Sequence, residues 1–597
     1  MQFRKDINAL RAYAVIAVML FHFNPVWVPG GFAGVDVFFV ISGFLMTGII
    51  FRGIEKKDFC LIDFYKKRTK RILPALSATC LFSTLFGFFF LYDSEYIDTL
   101  KQAISAITFS SNFYLWKTSG YFSPGSETRL LLHTWSLSTE WQFYILYPFI
   151  LFILSKLFNV HKLKFLVLLG FALSFYVSIY ASPKWVNSSY YLLHTRGWEM
   201  LLGGLAYFLK LELKVNFLKV LNYLGMALIF LSYLLISKNN VWPGYTAFIP
   251  TVGAFLILIS NIETSLTKNK IIQKIGTYSY SIYLWHWIVV YLCYRYTNMS
   301  TTIVILGCVL SLLLGHQSYK RIEKYGLETR NKILIMLSFL TLAIFYISID
   351  FIKEIRPISN TPNNDIVTFY NSNKEAPSPW IDNLCNKNNP CKQGGVFLWG
   401  DSHAHSLYFG LKKIEHIDLS ALTTSACTPS INYPDYKLSS RIVCNNNNRE
   451  ALKQIALKKP EIVILATRHK HEKTNWNSIS QVLKKYGVKK IIIFGPVPQF
   501  KGELPLLVAK KYLNKTSITK SDMAESIFIT NQIMNIKKRK EYKYIDILNK
   551  LCNKESCAFQ AETGNNYTLI SNDYGHLNNI GSIFIINSFI DEIVFKK

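Results

Sequence analysis

Long apolar runs, separated by short polar or basic segments, dominate the first 350 residues of the chain. A helix needs about 20 residues to cross a bilayer, and eleven runs approach that length. They lie near 12–28, 34–52, 74–92, 137–155, 165–181, 192–209, 217–236, 244–260, 275–294, 302–318 and 332–351. The pattern predicts a polytopic α-helical membrane domain of about 10 spans followed by one linking span.

The last third of the chain has a different pattern, in which short apolar strands alternate with helical stretches. The strand candidates are GGVFLWG, EIVILAT, KKIIIFG and KYIDIL, and a final amphipathic run reads SIFIINSFIDEIVF. This alternation predicts a soluble α/β domain. We expect a membrane domain over residues 1–325, an extra transmembrane helix and linker over 326–380, and the α/β domain over 381–597.

The basic residues predict the orientation of these spans. Lys and Arg follow the even-numbered spans, whereas the odd-numbered short loops are almost free of them. The positive-inside rule then places the N-terminus in the cytoplasm and the α/β domain outside. The first run lacks a small-residue cleavage site and is expected to be a retained helix. Segment 95–125 is expected to lie along the interface or re-enter. The net charge of +29 is explained by this topology, without a nucleic-acid partner.

Six of the ten cysteines lie in the polar last third: Cys385, Cys391, Cys427, Cys444, Cys552 and Cys557. An even number of cysteines in a soluble segment fits an oxidising compartment such as a periplasm. The short spacings favour the pairs 385–391 and 552–557, and 427–444 follows by elimination. The alternative is unpaired or metal-bound thiols, but no CxxC motif occurs and no metal site is expected.

Three residues of the α/β domain supply the parts of a nucleophilic site. Ser402 follows the strand VFLWG, at the sheet edge where active sites of open α/β sheets gather. Asp573 and His576 form a DxxH motif near the end of the chain. A serine nucleophile needs a base, and the base needs a partner that fixes its tautomer. The alternative is a structural turn and a surface histidine.

The GDS and DxxH motifs, in this order within one α/β domain, resemble the SGNH hydrolase family. The resemblance implies the serine as nucleophile, the histidine as general base and the aspartate as its orienting partner. The chain departs from the family in its middle blocks, which read Ser425-Ala426-Cys427 and Ala466-Thr467-Arg468-His469, without the usual asparagine. The Ser402 backbone N–H and a group near Arg468 are the expected oxyanion donors.

Several charged residues interrupt the apolar runs. Arg11 and His22 are about three turns, or roughly 16 Å, apart on one face of the first predicted helix. An ionisable residue inside a membrane span is costly and indicates function, although a neighbouring helix could simply satisfy His22. Further polar interruptions are His133, Glu140, Arg196, Glu199 and His286. Arg196 and Glu199, at i and i+3, could pair with each other.

A set of motifs in the first half resembles the acyltransferase-3 family of membrane O-acyltransferases. They are Arg11 with His22, FFVISGF at 38–44, RTKR at 68–71, HTWSLSTEWQFY at 133–144, RGWEMLLGG at 196–204 and SYSIYLWH at 279–286. The resemblance implies an acyl-CoA donor, usually acetyl-CoA, and an extracytoplasmic glycan acceptor. It also implies that Arg11 and His22 are a catalytic pair and that Glu140 supports the site. Arg68 and Arg71 would meet the donor's phosphates, although they could equally be positive-inside anchors.

Together these observations predict a multi-pass O-acetyltransferase of the bacterial inner membrane. Its partners would be acetyl-CoA, the lipid bilayer and a cell-surface glycan, with lipopolysaccharide O-antigen favoured over peptidoglycan or another polysaccharide. The outer domain would complete the transfer, or would instead be a glycan-binding module without catalysis. A transporter or a membrane-anchored glycan esterase fits less well, because neither needs both an ordered set of membrane charges and an outer triad.

Overall fold

Two compact units make up the protein, a helical one up to about residue 356 and a sheet-containing one after it. The predicted limits at 325 and 380 stay predictions. The computed structural model describes residues 3–118, 129–209, 212–237, 240–297, 299–326, 328–347, 356, 380–385, 392–432, 439–468, 471–513, 518–537, 541–553, 555–563 and 566–593.

The helical unit contains a helix at each of the eleven predicted apolar runs. Its α-helices are α1 (Lys5–Phe23), α2 (Gly34–Glu55), α3 (Leu61–Phe90), α4 (Asp93–Ile107), α5 (Ser111–Thr118), α6 (Thr134–Leu154), α7 (Val160–Ala181), α8 (Val186–Tyr191), α9 (Leu193–Phe208), α10 (Val215–Leu235), α11 (Phe248–Ser260), α12 (Ser265–Lys268), α13 (Lys270–Tyr296), α14 (Thr301–Arg321) and α15 (Thr329–Ile347). Within the described ranges, seven helices are long and apolar enough to cross a membrane by length and composition. The predicted class, a helical region with apolar spans before an α/β domain, is confirmed.

The helices expose apolar side chains on one face and pack against each other on the opposite face, as helices in a bilayer do. On α7, the side chains of Phe165, Leu173 and Tyr176 are each more than 60% exposed, although such residues are usually buried in soluble proteins. The opposite faces pack against other helices, and α2 and α9 approach closely through glycine. A Cβ atom at Gly203 would lie 1.9 Å from the carbonyl oxygen of Val40. Small residues at such crossings let membrane helices pack backbone to backbone.

Segment 95–125 forms two short helices over its described part, α4 and α5. They contain 15 and 8 residues, too few for a full crossing. Neither is among the seven candidate spans. Residues 119–125 lie outside the described residues, and an interfacial or re-entrant position stays a prediction.

The second unit is built on a six-stranded sheet with the order β1-β3-β2-β4-β5-β6. The strands are β1 (Ile381–Asp382), β2 (Val396–Gly400), β3 (Leu419–Thr423), β4 (Ile462–Ala466), β5 (Lys490–Phe494) and β6 (Lys543–Ile545), and a separate hairpin pairs β7 (Gln560–Thr563) with β8 (Asn566–Leu569). All neighbours are parallel except the edge strand β1. The prediction found β2, β4, β5 and β6 but missed β1, β3 and the hairpin.

Helices flank this sheet and complete the α/β arrangement. They are α16 (Ser402–His405), α17 (Tyr408–Lys412), α18 (Ser439–Lys458), α19 (Trp476–Lys485), α20 (Leu504–Leu513), α21 (Glu525–Ile536), α22 (Ile547–Leu551), α23 (Asn579–Ser588) and α24 (Ile590–Ile593). The predicted final amphipathic run corresponds to α23 and α24. Apolar side chains of the strands are buried on both faces of the sheet, as is usual for parallel strands.

Two of the three predicted disulfides are confirmed. Cys427 is bonded to Cys444, and Cys552 is bonded to Cys557. The third predicted pair includes Cys391, which lies outside the described residues, so its bond with Cys385 stays a prediction.

Candidate functional sites

The turn after β2 holds Ser402 at the carboxyl end of the parallel sheet. Ser402 begins α16, and Asp401 caps this helix by accepting a hydrogen bond from the His403 N–H at 2.8 Å. The other carboxylate oxygen of Asp401 accepts from the Arg468 N–H at 2.7 Å, just beyond β4. Burial raises the pKa of Asp401, although these two N–H groups oppose the shift. The turn that presents the serine is therefore fixed from two neighbouring strands.

A continuous hydrogen-bonded chain joins the three residues predicted for the outer domain. His576 Nε2 lies 2.9 Å from Ser402 Oγ, and His576 Nδ1 lies 2.6 Å from Asp573 Oδ2. Asp573 Oδ1 accepts from the backbone N–H groups of Gly575 at 2.8 Å and His576 at 2.7 Å. A carboxylate only accepts, so Nδ1 carries the proton and Nε2 is left to take one from the serine.

The charge of Asp573 is stabilised within this chain. Burial alone would raise the pKa of Asp573, but the hydrogen bond and charge of His576, with the Gly575 N–H, lower it below its ordinary value. Asp573 is therefore ionised near neutral pH and can stabilise a protonated His576 ring. These groups have the arrangement that general-base activation of a serine requires.

Three further side chains surround this triad, and the sequence analysis missed two of them, His403 and Tyr574. The His403 ring packs on the His576 ring with centroids 4.5 Å apart, and His403 Nε2 lies 3.2 Å from the Tyr574 hydroxyl. The Arg468 guanidinium lies 4.5 Å from the centre of the Tyr574 ring. His403 and Tyr574 are sequence neighbours of the motif residues, and this was the one signal that could have found them.

Backbone N–H groups of the two middle motif blocks, near Ala426 and Arg468, are candidate oxyanion donors, and some of them already donate to other groups. The Arg468 backbone N–H donates to Asp401, so it does not point to an oxyanion at Ser402. Ala426, in the block where the SGNH family has glycine, has a φ of 52°, a left-handed conformation that is unusual for alanine. The next residue, Cys427, donates its N–H to Thr424 at 3.2 Å and is disulfide-bonded. The Ser402 N–H as an oxyanion donor stays a prediction.

In the helical unit, four of the predicted residues line one cavity of about 90 Å³. They are Arg11 on α1, Arg68 and Arg71 on α3, and Glu140 on α6. Aliphatic and phenylalanine side chains, mainly from α2, cover most of the remaining wall. The described lining carries three guanidinium groups against one carboxylate, which makes the cavity positively charged.

Hydrogen bonds hold the single carboxylate of this lining in place. Glu140 accepts from the hydroxyls of Ser42 and Tyr144, and the Tyr144 hydroxyl also lies 3.0 Å from Ser42 Oγ. Within the described part of the chain, the buried Nε of Arg68 has no hydrogen-bond partner. A guanidinium with a buried, unused N–H donor beside a cavity is suited to an anionic ligand.

His22 lies against a second histidine and is not among the residues that line the cavity. Its Nδ1 is 2.9 Å from Nε2 of His286 on α13, and the two rings stack with a 12° angle between their planes. The ring of Trp287 meets His22 edge-on at 4.7 Å. A neighbouring helix therefore contacts His22, as the alternative interpretation expected, and its catalytic role stays a prediction.

Tyr283 connects the cavity wall to this histidine pair. It lines the cavity, and its hydroxyl bonds to Ser136 Oγ at 2.7 Å and to the His133 carbonyl oxygen at 2.9 Å. Its own carbonyl oxygen lies 2.6 Å from His286 Nδ1. The ring of His133 lies 5.9 Å from that of His286, so three histidines from separate helical segments lie close together.

Arg196 and Glu199 form the predicted pair, and a third residue joins them. Arg196 Nη1 lies 3.2 Å from Glu199 Oε1 and 3.1 Å from Asp36 Oδ1. All three side chains are buried, and they join α2 to α9. The sequence analysis missed Asp36, whose only local signal was an acidic residue inside an apolar run. This cluster does not belong to the cavity lining, and its contacts indicate a structural role.

The comparison with known families accounts for both units. The acyltransferase domain of the acyltransferase-3 family matches residues 4–315, more than half of the chain. The chain belongs to this family. A second match covers residues 373–591 and is the SGNH domain that is fused to acyltransferase-3 domains. Together with the apolar helices, membership of this acyltransferase family identifies a membrane protein.

Individual relatives of this acyltransferase-3 protein come from several bacteria. O-acetyltransferase OatA of Staphylococcus aureus is 31% identical over 343 residues, which are 53% of this chain and 56% of that protein. The putative membrane-bound transacylase BcsY of Komagataeibacter xylinus is 31% identical over 339 residues, 55% of this chain and 84% of that protein. The chain thus spans just over half the length of OatA.

One similar solved structure is the periplasmic domain of a lipopolysaccharide acetyltransferase from Salmonella ser. Paratyphi A. It is 23% identical and covers 39% of this chain and 97% of that domain, with a TM-score of 0.31.

Proposed function

We propose that the protein is a membrane O-acetyltransferase that moves an acetyl group from cytoplasmic acetyl-CoA to a hydroxyl of a cell-surface glycan. The observation that carries this proposal is the Ser402–His576–Asp573 chain in the soluble unit of an acyltransferase-3 protein. A protein that only transports would not need a serine nucleophile with its base and orienting carboxylate. An esterase would not need the charged membrane cavity.

The membrane cavity suits the donor in charge and in size. Three arginines of the lining, Arg11, Arg68 and Arg71, offer the charge-assisted hydrogen bonds that phosphate groups of coenzyme A would accept. The cavity of about 90 Å³ is far smaller than the roughly 300–1,000 Å³ of pockets that enclose a drug-sized ligand. It would therefore hold the thioester end with a short acyl group, and the nucleotide would remain at the basic cytoplasmic face.

The first chemical step would release the acyl group from its thioester within the helical unit. His22 would act there as a base or as a transient acyl carrier, because imidazole is basic near neutral pH without being charged throughout. In the carrier role, His22 Nε2 bonds to the acyl carbon as the acyl carbon–sulfur bond breaks, and the coenzyme A thiolate leaves and takes up a proton from solvent. Glu140 would hold Ser42 and Tyr144 at the cavity wall, and Arg11 would complete the charged end of the site.

The second step would use the outer triad. Ser402 Oγ attacks the acyl carbonyl while its proton moves to His576 Nε2, the bond between the acyl carbon and His22 breaks, and an acyl-serine forms. His576 then releases this proton to solvent and is again a base. The glycan hydroxyl then attacks this ester and loses its proton to His576, and Ser402 regains a proton as the acylated glycan leaves. Asp573 stabilises the imidazolium in both half-reactions.

For the acceptor we propose lipopolysaccharide O-antigen. The disulfides 427–444 and 552–557 fit an oxidising compartment, and a large soluble unit fits a periplasm that lies between two membranes. The protein would then lie in the inner membrane with its N-terminus in the cytoplasm. Peptidoglycan or another surface polysaccharide is the alternative acceptor.

The test is glycan O-acetylation in cells that express wild type, His22→Ala or Ser402→Ala at matched protein levels. Exposed residues provide matched controls, His161→Ala for the first variant and Ser521→Ala for the second. Loss of glycan acetylation in both site variants, with wild-type levels in both controls, would support the two-step relay.

Other outcomes of this test point to different functions. Loss with His22→Ala but full acetylation with Ser402→Ala would refute the acyl-serine step and leave the outer domain as a glycan-binding module. Full activity in His22→Ala would refute the membrane step. Expressing the protein in a strain that makes O-antigen and in one that lacks it identifies the acceptor. Acetate bound to peptidoglycan would be found in both strains, whereas acetate bound to O-antigen would be found only in the first.

A further inference from the structure

His286 is a buried, chemically capable residue that the proposed reaction does not yet use. It lies on α13 and is fully buried, and its Nε2 is 2.9 Å from Nδ1 of His22 on α1. Its other ring nitrogen, Nδ1, is 2.6 Å from the carbonyl oxygen of Tyr283, one helical turn earlier. The ring of His286 also interacts with the backbone of Ile282. Its two nitrogens therefore face different partners, His22 on one side and the backbone of its own helix on the other.

The protons shared among Tyr283, His286 and His22 can be placed by starting from the carbonyl group of Tyr283. A carbonyl oxygen only accepts, so Nδ1 of His286 must carry a proton. A neutral imidazole has one N–H, and a charged ring is costly among membrane helices, so Nε2 of His286 accepts. The hydrogen bond at 2.9 Å then requires His22 Nδ1 to donate. Nε2 of His22 is consequently the nitrogen that keeps its lone pair.

The chain is held at its far end by groups of the cavity wall. The Tyr283 hydroxyl bonds to Ser136 Oγ at 2.7 Å and to the His133 carbonyl oxygen at 2.9 Å, so its position is set by the start of α6 as well as by α13. The edge of Trp287 against His22 restricts rotation of that ring. The contacts from Tyr283 through His286 to His22 thus connect the cavity lining to the proposed base.

We propose that His286 is a positioning residue that holds His22 in the tautomer with a basic Nε2. This inference rests on the proposed function, in which His22 takes a proton or an acyl group. When Nε2 of His22 forms that new bond, positive charge develops on its ring. The Nδ1–H then donates more strongly to the neutral His286 ring, which occupies the place that a carboxylate has in a serine triad.

Two substitutions separate hydrogen bonding from packing. His286→Phe keeps an aromatic ring of similar size but removes the acceptor for His22. His286→Gln provides a side-chain carbonyl oxygen that can accept from His22 Nδ1–H. We expect His286→Phe to lower kcat for acetyl transfer by about 100-fold or more, with an almost unchanged KM for acetyl-CoA. His286→Gln should retain activity within about tenfold of wild type.

The measurement uses full-length protein in membranes, with radiolabelled acetyl-CoA and matched protein amounts. Solid-state nitrogen-15 spectra of histidine-labelled protein give a readout that does not depend on activity, with the His22 signals identified by their loss in His22→Ala. We expect Nδ1–H and an unprotonated Nε2 on His22 in wild type, and a change toward the other tautomer in His286→Phe.

Failure of this inference and failure of the proposed function give different results. Wild-type spectra with Nε2–H on His22, or equal activity of His286→Phe and wild type, would overturn the positioning role. Equal losses in His286→Phe and His286→Gln would do so as well. If the tautomer is as expected but His22→Ala remains fully active, the proposed membrane step is wrong while the proton assignment stands.

Discussion

Asp573→Asn tests the outer triad with the smallest change in shape. Asparagine has nearly the same volume as aspartate, but one of its two oxygen positions becomes an NH₂ group. If the amide oxygen faces His576, the NH₂ group meets the N–H groups of Gly575 and His576, which now lie 2.8 and 2.7 Å from Asp573 Oδ1. If the oxygen stays with these two N–H groups, the NH₂ group faces His576 Nδ1.

The second orientation keeps two hydrogen bonds instead of one, and we expect it to prevail. Each of these bonds contributes about 1 kcal/mol. His576 Nδ1 must then accept, so Nε2 carries the proton and can no longer take one from Ser402. In serine proteases the corresponding change of tautomer lowers kcat by about 10⁴. We expect a similar loss here, which corresponds to about 5 kcal/mol in the activation free energy.

The assay is release of nitrophenol from p-nitrophenyl acetate by purified full-length protein in detergent. Ser402→Ala sets the background rate, and Asp591→Asn, at an exposed position, is the matched control. Activity of Asp573→Asn within tenfold of wild type would refute the assigned roles, provided that Ser402→Ala is inactive. Unchanged thermal unfolding would show that the loss is not caused by misfolding.

The same variant tests the lowered pKa of Asp573 through stability. A carboxylate whose folded pKa is lowered stabilises the fold fully above its ordinary value of 3.8, and this contribution disappears as the pH falls through the folded pKa. The difference in unfolding free energy between wild type and Asp573→Asn should therefore shrink as the pH falls below about 4. A difference that does not shrink in that range would contradict the lowered pKa.

Three further predictions concern the cavity, the disulfide and the helix crossing. Arg68→Ala should raise the KM for acetyl-CoA about 30-fold through loss of a phosphate contact of about 2 kcal/mol, and an unchanged KM in steady-state kinetics would favour a membrane anchor. Cys427→Ser, which opens the loop to Cys444, should lower the unfolding free energy by about 3 kcal/mol, measured by protease resistance in urea. Gly203→Ala should lower the thermal unfolding temperature in detergent, because its Cβ would lie 1.9 Å from a backbone oxygen, whereas Gly170→Ala, with a nearest contact of 3.5 Å, should not.

Local patterns predicted most of the architecture. Helix positions follow from the length and apolarity of each run, which are properties of adjacent residues, so every predicted span falls on a helix. The strands found in the sequence are those with continuous branched or aromatic side chains, such as β4 and β5. Strand β3, with the sequence LSALT, was missed because its serine, alanine and threonine resemble a loop. It is recognised as a strand only through its pairing with β1 and β2 on either side, which no local pattern reveals.

Contacts between distant segments could not be read from the sequence. The triad was found because each of its parts lies in a recognisable motif at the end of a strand or loop. His22 and His286 are separated by 264 positions, and only the packing of α1 on α13 brings their rings together. Likewise, the acidic Asp36 becomes the partner of Arg196 only through the close crossing of α2 and α9.

The two proposed centres solve one problem with different chemistry. Each needs an imidazole with a fixed tautomer, and the outer domain uses the Asp573 carboxylate for this purpose. Among membrane helices a lone carboxylate is costly, and the buried Asp36 indeed has Arg196 beside it. His286, backed by a backbone carbonyl, fixes the tautomer without adding a charge. A neutral partner stabilises an imidazolium less than a carboxylate does, so positive charge on the His22 ring is stabilised less than positive charge on the His576 ring. The outer histidine is therefore the better suited of the two to take up and hold the proton of an attacking hydroxyl.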